Sequence, residues 1–407
     1  MRKILLIICD GLGDRPVDSL GGKTPLQVAN KRNFDWFAEN GICGLMDPIA
    51  PGVRPGSDTS HLAIFGYDPQ TCYTGRGPFE AAGVGLRLEP GDVAFRCNFA
   101  TVDDDMTVID RRAGRITSGT EEITRTFDGR TIRGADVILK PGTAHRAALV
   151  LRGQGLSWKV TDADPHGTGK KVLEVLPLEE GAKETADVVN EFVRRSHEEL
   201  EDHPVNLERK KAGKLPANII LSRGAGIWTP LQSFRERYGL RAAAISGVTL
   251  VRGICTSLGM EMLEVEGATG GLDTDMIAKA DAAVKALKSY DFVYVNIKAA
   301  DICGHDGLVD EKVKVVERLD EMLGHLKRRL DEETVLAITA DHSTPIEVGD
   351  HSGDPVPLMV FGPGIRVDPV DQFDEVSVAN GGLGHPRGCD LMNILLNPSG
   401  RAEKYGA

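Results

Sequence analysis

Residues 4–11 read ILLIICDG, a run of six apolar residues that ends at Asp10 and Gly11. A run that is apolar throughout, without alternation, is typical of a strand covered on both faces, as in a parallel sheet. Four further short runs have the same character, at residues 219–222, 292–297, 335–339 and 358–361. Together the five runs predict the buried strands of one mainly parallel sheet.

Helical patterns lie between these runs. Residues 274–288 and 310–330 carry apolar side chains three and four positions apart, with charged side chains on the opposite face. Strands that alternate with helices predict an α/β fold in which helices flank the sheet.

The middle of the chain has a different pattern. Between about residues 83 and 175 short stretches alternate between apolar and polar side chains, among them FRCNFATV at 95–102 and DVILK at 136–140. They predict antiparallel strands, after which a helix over 183–200 and a basic linker over 208–216 lead back to the core. We therefore expect a discontinuous core domain, residues 1–80 and 216–407, interrupted by a smaller α+β domain at residues 81–215.

Length, charge and cysteine usage restrict the function classes. The 407 residues suggest two or three domains, at about 150 residues per domain. The 48 Lys+Arg and 60 Asp+Glu give a net charge of −12, which argues against a nucleic-acid partner because backbone binding needs a basic face. Seven cysteines without a CxxC pair favour reduced thiols in the cytoplasm. The first apolar run is too short for a signal peptide or a membrane span, so we expect no membrane partner.

Acidic and imidazole side chains follow three of the predicted strands. Ligands of open α/β sheets bind at the carboxyl ends of the strands, so these groups are expected to meet in one crevice. Any one of them has an ordinary explanation, such as a helix cap or a buried core histidine, but the whole set does not. Aspartate and histidine supply oxygen and nitrogen ligands for Mn²⁺, Mg²⁺ or Zn²⁺. The candidates are Asp10, Asp301, His305, Asp341 and His342, together with His351 before the strand at 358–361.

Ser57 is the candidate nucleophile. It lies in PGSDTSHLAIFGYDP, residues 55–69, after a glycine and before a helix-like stretch. A hydroxyl at a helix N-terminus faces free N–H groups that favour an anion. Serine alone is a weak nucleophile, and a metal ion can activate it by stabilising the alkoxide. An N-cap serine is the ordinary alternative for this segment.

These residues resemble a known family. Asp10, GSDTSHLAIFGYDP at 56–69, DICGH at 301–305, ADHS at 340–343 and DHSGDPVP at 350–357 are similar to motifs of the 2,3-bisphosphoglycerate-independent phosphoglycerate mutases. The resemblance is to the archaeal-type form, within the alkaline phosphatase superfamily. It covers essentially the whole chain, including TGRGPFEAAGVG at 74–85 and GGLGHPRGCDLMNILL at 381–396.

The resemblance implies an alkaline phosphatase-like core with two divalent ions per chain, Mn²⁺ foremost, with Mg²⁺, Zn²⁺ or Co²⁺ as alternatives. It implies that Ser57 becomes phosphorylated while 3-phosphoglycerate and 2-phosphoglycerate interconvert, without 2,3-bisphosphoglycerate. The insertion is expected to close over the core and exclude water. One ion is expected to be held by Asp301, His305 and His351, and the other by Asp10, Ser57, Asp341 and His342.

Positively charged groups are expected to bind the substrate carboxylate and phosphate. The candidates are Arg111, Arg112, Arg115, His166, Arg223 and Arg252. A related phosphomutase, a phosphatase or a homoserine kinase-like enzyme would have the same core, and a non-catalytic metal-binding protein is the alternative of a different class. The oligomeric state stays open.

Overall fold

A computed structural model describes residues 1–404 and 406 of the chain. Tyr405 and Ala407, which fall in the predicted core domain, lie outside the described residues. The chain divides into two compact units, the first formed by Met1–Tyr73 and Gln232–Ala407 and the second by Thr74–Leu231. The second unit therefore extends beyond the predicted insertion, residues 81–215, at both ends.

The described strands fall into two sheets, one in each unit. In chain order they are β1 (Lys3–Cys9), β2 (Ile42–Met46), β3 (Val93–Val102), β4 (Val108–Asp110), β5 (Thr131–Ile132), β6 (Ala135–Pro141), β7 (Arg146–Arg152), β8 (Ile219–Ile227), β9 (Ala242–Ile245), β10 (Glu261–Met262), β11 (Phe292–Ile297), β12 (Thr334–Thr339) and β13 (Val356–Phe361).

The described α-helices lie between these strands. In chain order they are α1 (Pro25–Val28), α2 (Arg32–Glu39), α3 (Ser57–Ile64), α4 (Pro69–Cys72), α5 (Gly77–Gly83), α6 (Thr120–Arg125), α7 (Lys183–Leu200), α8 (Pro204–Lys211), α9 (Phe234–Tyr238), α10 (Thr249–Ser257), α11 (Met276–Ala286), α12 (Ala299–Asp306), α13 (Val309–Lys327) and α14 (Leu391–Leu396).

The sheet of the first unit has the strand order β10-β9-β11-β1-β12-β13-β2. The five strands from β10 to β12 are parallel, and β1 lies in the middle between β11 and β12. Its residues from Ile4 to Cys9 are at most 1% exposed, as the unbroken apolar run predicts. The mainly parallel α/β fold expected from the sequence is confirmed.

Two of the five strands that were predicted to be parallel are antiparallel in the structure. Strand β13, which contains residues 358–361, runs antiparallel to both β12 and β2. Strand β8, which contains residues 219–222, belongs to the second unit and pairs antiparallel with β3. An apolar run reports burial on both faces, which β13 and the start of β8 have, but it carries no information on strand direction.

The second unit contains an antiparallel sheet with the strand order β4-β3-β7-β6-β5. Strand β8 also pairs with β3. The alternating stretches of the sequence correspond to β3, β4, β6 and β7. One continuous apolar core joins this sheet to helix α7, with Phe95, Phe99, Leu149, Phe192 and Ile220 fully or almost fully buried in it. Part of the predicted linker, residues 208–216, is helical, since α8 extends to Lys211.

All seven cysteines lie in the described part of the chain, and each is a free thiol. Burial raises the pKa of Cys9 to about 12, and that of Cys43 likewise, so these thiols are protonated and unreactive at neutral pH. Within residues 1–404 and 406, no helix has the length and apolar character needed to cross a membrane.

One buried cation connects the loops that follow two central strands. The Lys312 ammonium on α13 lies 2.7 Å from Asp14 Oδ2, and both side chains are at most 1% exposed. The ammonium also donates to the carbonyl oxygens of Gly13, at 3.4 Å, and Thr344, at 2.9 Å. Because Gly13 follows β1 and Thr344 follows β12, Lys312 fixes the two loops to each other.

We expect Lys312→Met to lower the free energy of unfolding by about 3–5 kcal/mol, because the Asp14 carboxylate stays buried without its counter-ion. Lys314→Met on the same helix is the matched control, since Lys314 pairs with Glu311 at the surface at 3.4 Å. The control is expected to change the free energy by about 0.5 kcal/mol or less. Urea unfolding measures both variants, and equal losses would contradict this role of Lys312.

Candidate active site

The carboxyl ends of three adjacent parallel strands bring the candidate side chains together. In the sheet register Cys9 on β1 is the partner of Ile297 on β11, and Ile8 is the partner of Thr339 on β12. The three strands therefore end at the same level, and the segments that follow them carry the candidate aspartates and histidines. The predicted crevice lies at this edge of the sheet.

Asp10, Asp341 and His342 form the first group of candidate ligands, with one ligand atom of each within 4.8 Å of the others. All three side chains are fully buried. His342 Nε2 lies 3.5 Å from Asp10 Oδ1 and 3.1 Å from the hydroxyl oxygen of Ser57. The structure thus places Ser57 beside this group, where the sequence analysis expected it.

Asp301, His305 and His351 form the second group, again with one ligand atom of each within 4.8 Å of the others. Asp301 and His305 lie one turn apart on α12, so both point to the same side of that helix. Asp301 Oδ1 is 3.4 Å from His305 Nε2 and 3.6 Å from His351 Nε2. The ring of His351 stacks on that of His342 at 3.5 Å, which connects the second group to the first.

Gly11 allows the loop after β1 to lie close to the start of α12. It has a φ of +69°, in the left-handed region that glycine adopts without strain. A Cβ atom at this position would lie 2.6 Å from Asp301 Cα, inside van der Waals contact. Glycine therefore lets the loop after β1 pass directly against the start of α12.

Hydrogen bonds fix the tautomer of His342. The Thr344 hydroxyl donates to Asp301 Oδ1 at 2.8 Å, so its oxygen is available to accept from His342 Nδ1 at 3.0 Å. Nδ1 then carries the proton, and the lone pair of Nε2 faces Ser57 and Asp10. Threonine 344 in this way orients one ligand from each group.

The other two imidazoles have the same arrangement. His351 Nδ1 lies 2.9 Å from the carbonyl oxygen of Pro55, and His305 Nδ1 lies 3.0 Å from that of Gly349. A carbonyl only accepts, so each Nδ1 donates its proton, and in the neutral ring each Nε2 directs a lone pair towards Asp301. Metal-binding histidines are held by second hydrogen bonds of this kind.

The carboxylates of the cluster perturb one another. Burial and the neighbouring Asp341 raise the pKa of Asp10. Burial opposes the ionisation of Asp341, but a positively charged His342 outweighs it and holds the pKa of Asp341 below its ordinary value. At Asp301 burial is likewise outweighed, by a hydrogen bond from protonated His351 and by Lys298, and the pKa is low. The cluster therefore concentrates negative charge in a place that water does not solvate.

The donor set fits divalent metal ions. Asp341 Oδ1 accepts from the amides of Gly11 and His342, whereas its buried Oδ2 has no hydrogen-bond partner among the described residues. A carboxylate oxygen and neutral imidazole lone pairs that face each other repel unless a cation lies between them. Oxygen and nitrogen donors without thiolates suit Mn²⁺, Mg²⁺ or Zn²⁺.

Ser57 is the first residue of helix α3, after Gly56 at the N-cap. Its side chain is buried, and the hydroxyl oxygen contacts His342 Nε2. The start of an α-helix stabilises negative charge through its free N–H groups and the helix dipole. Helix α3 consequently holds the hydroxyl in a position that favours an oxyanion or a phosphoryl group.

Lys298 is a site residue that the sequence analysis missed. Its ammonium lies 2.6 Å from Asp301 Oδ2 and 3.3 Å from Asp10 Oδ2, between the two ligand groups. Burial opposes protonation, but Asp10 and Asp301 outweigh it and raise the pKa of Lys298. The signal was a cation three residues before Asp301, a spacing that brings side chains together on a helix.

A second cluster of charge lies in the second unit. Arg96 on β3 is the direct cross-strand partner of Arg223 on β8, and Arg146 on β7 is the partner of Asn98. Residues 96 and 98 lie two apart in one strand, so these side chains share one face of the sheet. We call Arg96, Arg146 and Arg223 the arginine face. The sequence analysis missed Arg96 and Arg146, although a cation inside a buried strand was a visible signal.

The negative partners of the arginine face are distant: Arg96 Nε lies 3.6 Å from Glu80 Oε1, and Arg223 Nε lies 3.9 Å from Asp164 Oδ2. The Nε atoms of its three arginines are buried and make no hydrogen bond within residues 1–404 and 406. Burial, followed by the nearby Arg76, lowers the pKa of Arg96, and Glu80 only partly offsets this. Like charges directly opposite each other destabilise a sheet. An anion bound at this face would remove the repulsion.

The predicted substrate-binding residues have different surroundings in the structure. Arg111 forms a forked pair with the buried Asp164, at 2.9 and 2.6 Å, and Arg223 Nε lies 3.9 Å from the same carboxylate. His166 pairs with Asp162 at 2.9 Å in an exposed loop.

Three further candidates lie apart from these contacts. Arg112 and Arg115 are exposed at the surface of the second unit. Arg252 belongs to the first unit, where it pairs with Glu264 and donates to the Ser246 carbonyl at 3.3 Å. The structure shows no contact of Arg252 with the described aspartates and histidines of the site.

A mainly parallel α/β sheet with buried aspartates and histidines at its carboxyl edge, facing a helix-terminal serine, is typical of an enzyme that transfers phosphoryl groups with the help of metal ions. The sequence model of the 2,3-bisphosphoglycerate-independent phosphoglycerate mutases matches residues 38–206. Enzymes of that name from Methanothermobacter thermautotrophicus and Methanopyrus kandleri are 52% and 50% identical to this chain, covering all of it and 100% and 98% of their own length. The chain therefore belongs to the 2,3-bisphosphoglycerate-independent phosphoglycerate mutases.

Two solved structures are similar over almost their full length. The PH0037 protein of Pyrococcus horikoshii superposes with a TM-score of 0.87 at 43% identity, covering 100% of this chain and 99% of that chain. The cofactor-independent phosphoglycerate mutase of Thermoplasma acidophilum superposes with a TM-score of 0.73 at 38% identity, covering 98% and 100%. Enzymes of this family are isomerases, specifically intramolecular phosphotransferases, and the resemblance found in the sequence is confirmed.

We expect Thr344→Val to weaken binding of Mn²⁺ about 10- to 100-fold, because it removes the acceptor for His342 and the donor to Asp301. Thr339→Val is the matched control, since the buried Thr339 hydroxyl on β12 bonds only to the carbonyl of Pro357 among the described contacts. Titration calorimetry with Mn²⁺ measures both proteins. Equal affinity in Thr344→Val and the wild type would contradict the orienting role of Thr344.

Proposed function

We propose that this phosphoglycerate mutase interconverts 3-phosphoglycerate and 2-phosphoglycerate through a phosphoserine at Ser57, with two divalent ions per chain and without 2,3-bisphosphoglycerate. The observation that carries the proposal is the Ser57 hydroxyl at a helix start, 3.1 Å from an imidazole nitrogen whose lone pair faces it. The seven free cysteines support a reducing compartment, the cytoplasm.

Two sets of residues hold the ions in this proposal. Asp301, His305 and His351 bind one ion, and Asp10, Asp341 and His342 bind the other together with the Ser57 oxygen. Three aspartates and a serine alkoxide carry a charge of about −4, which two divalent ions balance. When bound, the ions supply Lewis-acid stabilisation of the alkoxide and of the phosphoryl oxygens. We favour Mn²⁺, with Mg²⁺, Zn²⁺ and Co²⁺ as alternatives that the donor set also accepts.

The reaction has two halves. The Ser57 oxygen attacks the phosphorus of 3-phosphoglycerate, the bond from phosphorus to the 3-oxygen breaks, and that oxygen takes up a proton to give bound glycerate. The 2-hydroxyl of glycerate then loses a proton and attacks phosphoserine, and the bond from phosphorus to Ser57 breaks. One proton is gained and one is lost, so the net change is isomerisation. The N-terminus of α3 stabilises the phosphorylated serine in between.

The arginine face binds an anionic group of the substrate in this proposal. Its three buried Nε donors make no hydrogen bond among the described residues and suit a carboxylate or phosphate, which forms strong charge-assisted hydrogen bonds with guanidinium groups. Arg111 is held in place by Asp164 and adds to the positive potential. Of the other predicted substrate ligands, Arg112, Arg115, His166 and Arg252 stay predictions, as does closure of the insertion.

We expect phosphate from 3-phosphoglycerate to appear on Ser57 after brief incubation with Mn²⁺ and acid quenching, detected by mass spectrometry of the peptide. Ser57→Ala should lose mutase turnover and this label while the fold stays intact. Ser399→Ala is the matched control in the same unit, because the buried Ser399 hydroxyl donates to the backbone carbonyl of Leu396, away from Ser57. Labelling of another residue would contradict the proposal, and steady release of inorganic phosphate without isomerisation would identify a phosphatase instead.

We expect Arg96→Met to raise the KM for 3-phosphoglycerate about tenfold or more, because a charge-assisted hydrogen bond contributes about 1.5–3 kcal/mol. Its thermal midpoint should change little, since the substitution relieves repulsion from Arg223 while the buried Glu80 keeps its ion pair with Arg76 at 2.9 Å. Arg133→Met is the control in the same unit, where the arginine forms exposed ion pairs with Glu184 and Asp187. An unchanged KM in Arg96→Met would exclude the arginine face from substrate binding.

A further inference from the structure

His61 lies directly behind the candidate nucleophile. It is fully buried on α3, one turn after Ser57. Its Nδ1 atom lies 2.6 Å from the carbonyl oxygen of Ser57, and its Nε2 atom lies 2.6 Å from the hydroxyl of Tyr294. Both hydrogen bonds are short, and both are shielded from water, where such bonds are strongest.

The partners determine which atoms carry the protons. The Ser57 carbonyl only accepts, so Nδ1 of His61 carries a proton and donates it. Nε2 of the neutral ring then accepts from the Tyr294 hydroxyl. With the ring neutral, donation runs from Tyr294 to His61 and from His61 to the backbone of Ser57.

Tyr294 is anchored in the middle of β11 and is fully buried. Its ring makes edge contacts with Phe65 at 5.0 Å and with His61 at 5.9 Å between centroids. The same strand leads into Lys298 and Asp301 of the site. The hydrogen-bonded chain thus connects the strand that delivers one ligand group to the residue that begins α3.

His61 also lies near the other ligand group. Its Nδ1 is 3.5 Å from Asp341 Oδ2, the carboxylate oxygen without a hydrogen-bond partner among the described residues. A shift of the imidazole would therefore move the backbone of Ser57 relative to the carboxylate that faces it. Buried side chains of this kind, locked by packing and by two hydrogen bonds, are what hold a reactive group in a fixed place.

We infer that Tyr294 and His61 are positioning residues for the phosphoryl transfer: they hold the Ser57 hydroxyl in line for attack without touching the substrate. This inference rests on the proposed phosphoserine mechanism and adds two residues to it. Misplacement of a reacting atom by about 1 Å costs up to about 100-fold in rate, whereas substrate affinity depends on other contacts. Loss of the hydrogen-bonded chain should therefore lower kcat and leave KM unchanged.

Tyr294→Phe removes only the hydroxyl and keeps the ring. We expect kcat and the single-turnover rate of Ser57 phosphorylation to fall about tenfold, with KM and bound Mn²⁺ within about twofold of the wild type. Tyr67→Phe is the matched control, since the Tyr67 hydroxyl bonds to the carbonyl of Gln232 at 2.8 Å and lies outside the site. Tyr67→Phe should keep the wild-type kcat.

A pair of His61 variants tests the direction of donation. The amide of Asn at position 61 can donate to the Ser57 carbonyl in place of Nδ1, whereas Leu cannot donate. His61→Asn should therefore retain more of the single-turnover rate than His61→Leu, although leucine suits a buried position better than asparagine does. Equal loss in the two variants, at equal thermal midpoints, would overturn the assignment.

The outcomes separate the inference from the proposed function. A wild-type enzyme that isomerises 3-phosphoglycerate without labelling Ser57 would reject both. Full-rate labelling in Tyr294→Phe, or a fall in rate that only follows loss of Mn²⁺, would reject the positioning role alone. A tenfold lower rate with metal content and KM preserved would support it.

Discussion

Three carboxylates buried at one edge of one sheet are the constraint on which the site depends. Asp10, Asp301 and Asp341 are at most 2% exposed, and they raise one another's cost of ionisation. Buried charge of one sign is stable only when cations or donors compensate it. The Lys298 ammonium and the amides that bind Asp341 meet part of this need. Divalent ions are the compensation that the remaining donor atoms fit.

The same constraint explains the residues around the ligands. Each of the three imidazoles donates from Nδ1, to Thr344, Pro55 or Gly349, and directs Nε2 inward. A histidine that is free to rotate would turn its N–H towards the carboxylates and become a donor in place of a ligand. The outer hydrogen bonds prevent this rotation. They therefore select metal binding over a simple network of salt bridges.

The sequence predicted what depends on local composition. The apolar runs gave β1, β11 and β12, and the polar residue after each run gave Asp10, Asp301 and Asp341, because strand ends in a parallel sheet share one edge. Strand direction and sheet membership were not predictable in this way, so β13 and β8 were misassigned. Both are set by pairing partners far along the chain.

The residues missed at the site share one property. Thr344, His61 and Tyr294 form hydrogen bonds to partners between 2 and 233 residues away, and Lys298 lies between two ligand groups that only the fold brings together. From residue type alone, Thr344 would be interpreted as a threonine in a turn and Tyr294 as an aromatic residue of the core. Lys298, Arg96 and Arg146 did leave a signal, as cations within otherwise apolar or ligand-bearing segments.

The two units gather buried charge of opposite sign. The first unit gathers aspartates, which suit metal cations, and the second gathers the arginine face, which suits an anion. In the proposed reaction, metal ions would act on the transferring phosphoryl group, whereas guanidinium groups suit a carboxylate that is not transferred. Retaining glycerate between the two half-reactions is what distinguishes a mutase from a phosphatase. In that proposal the arginine face bears on the type of reaction as much as on affinity.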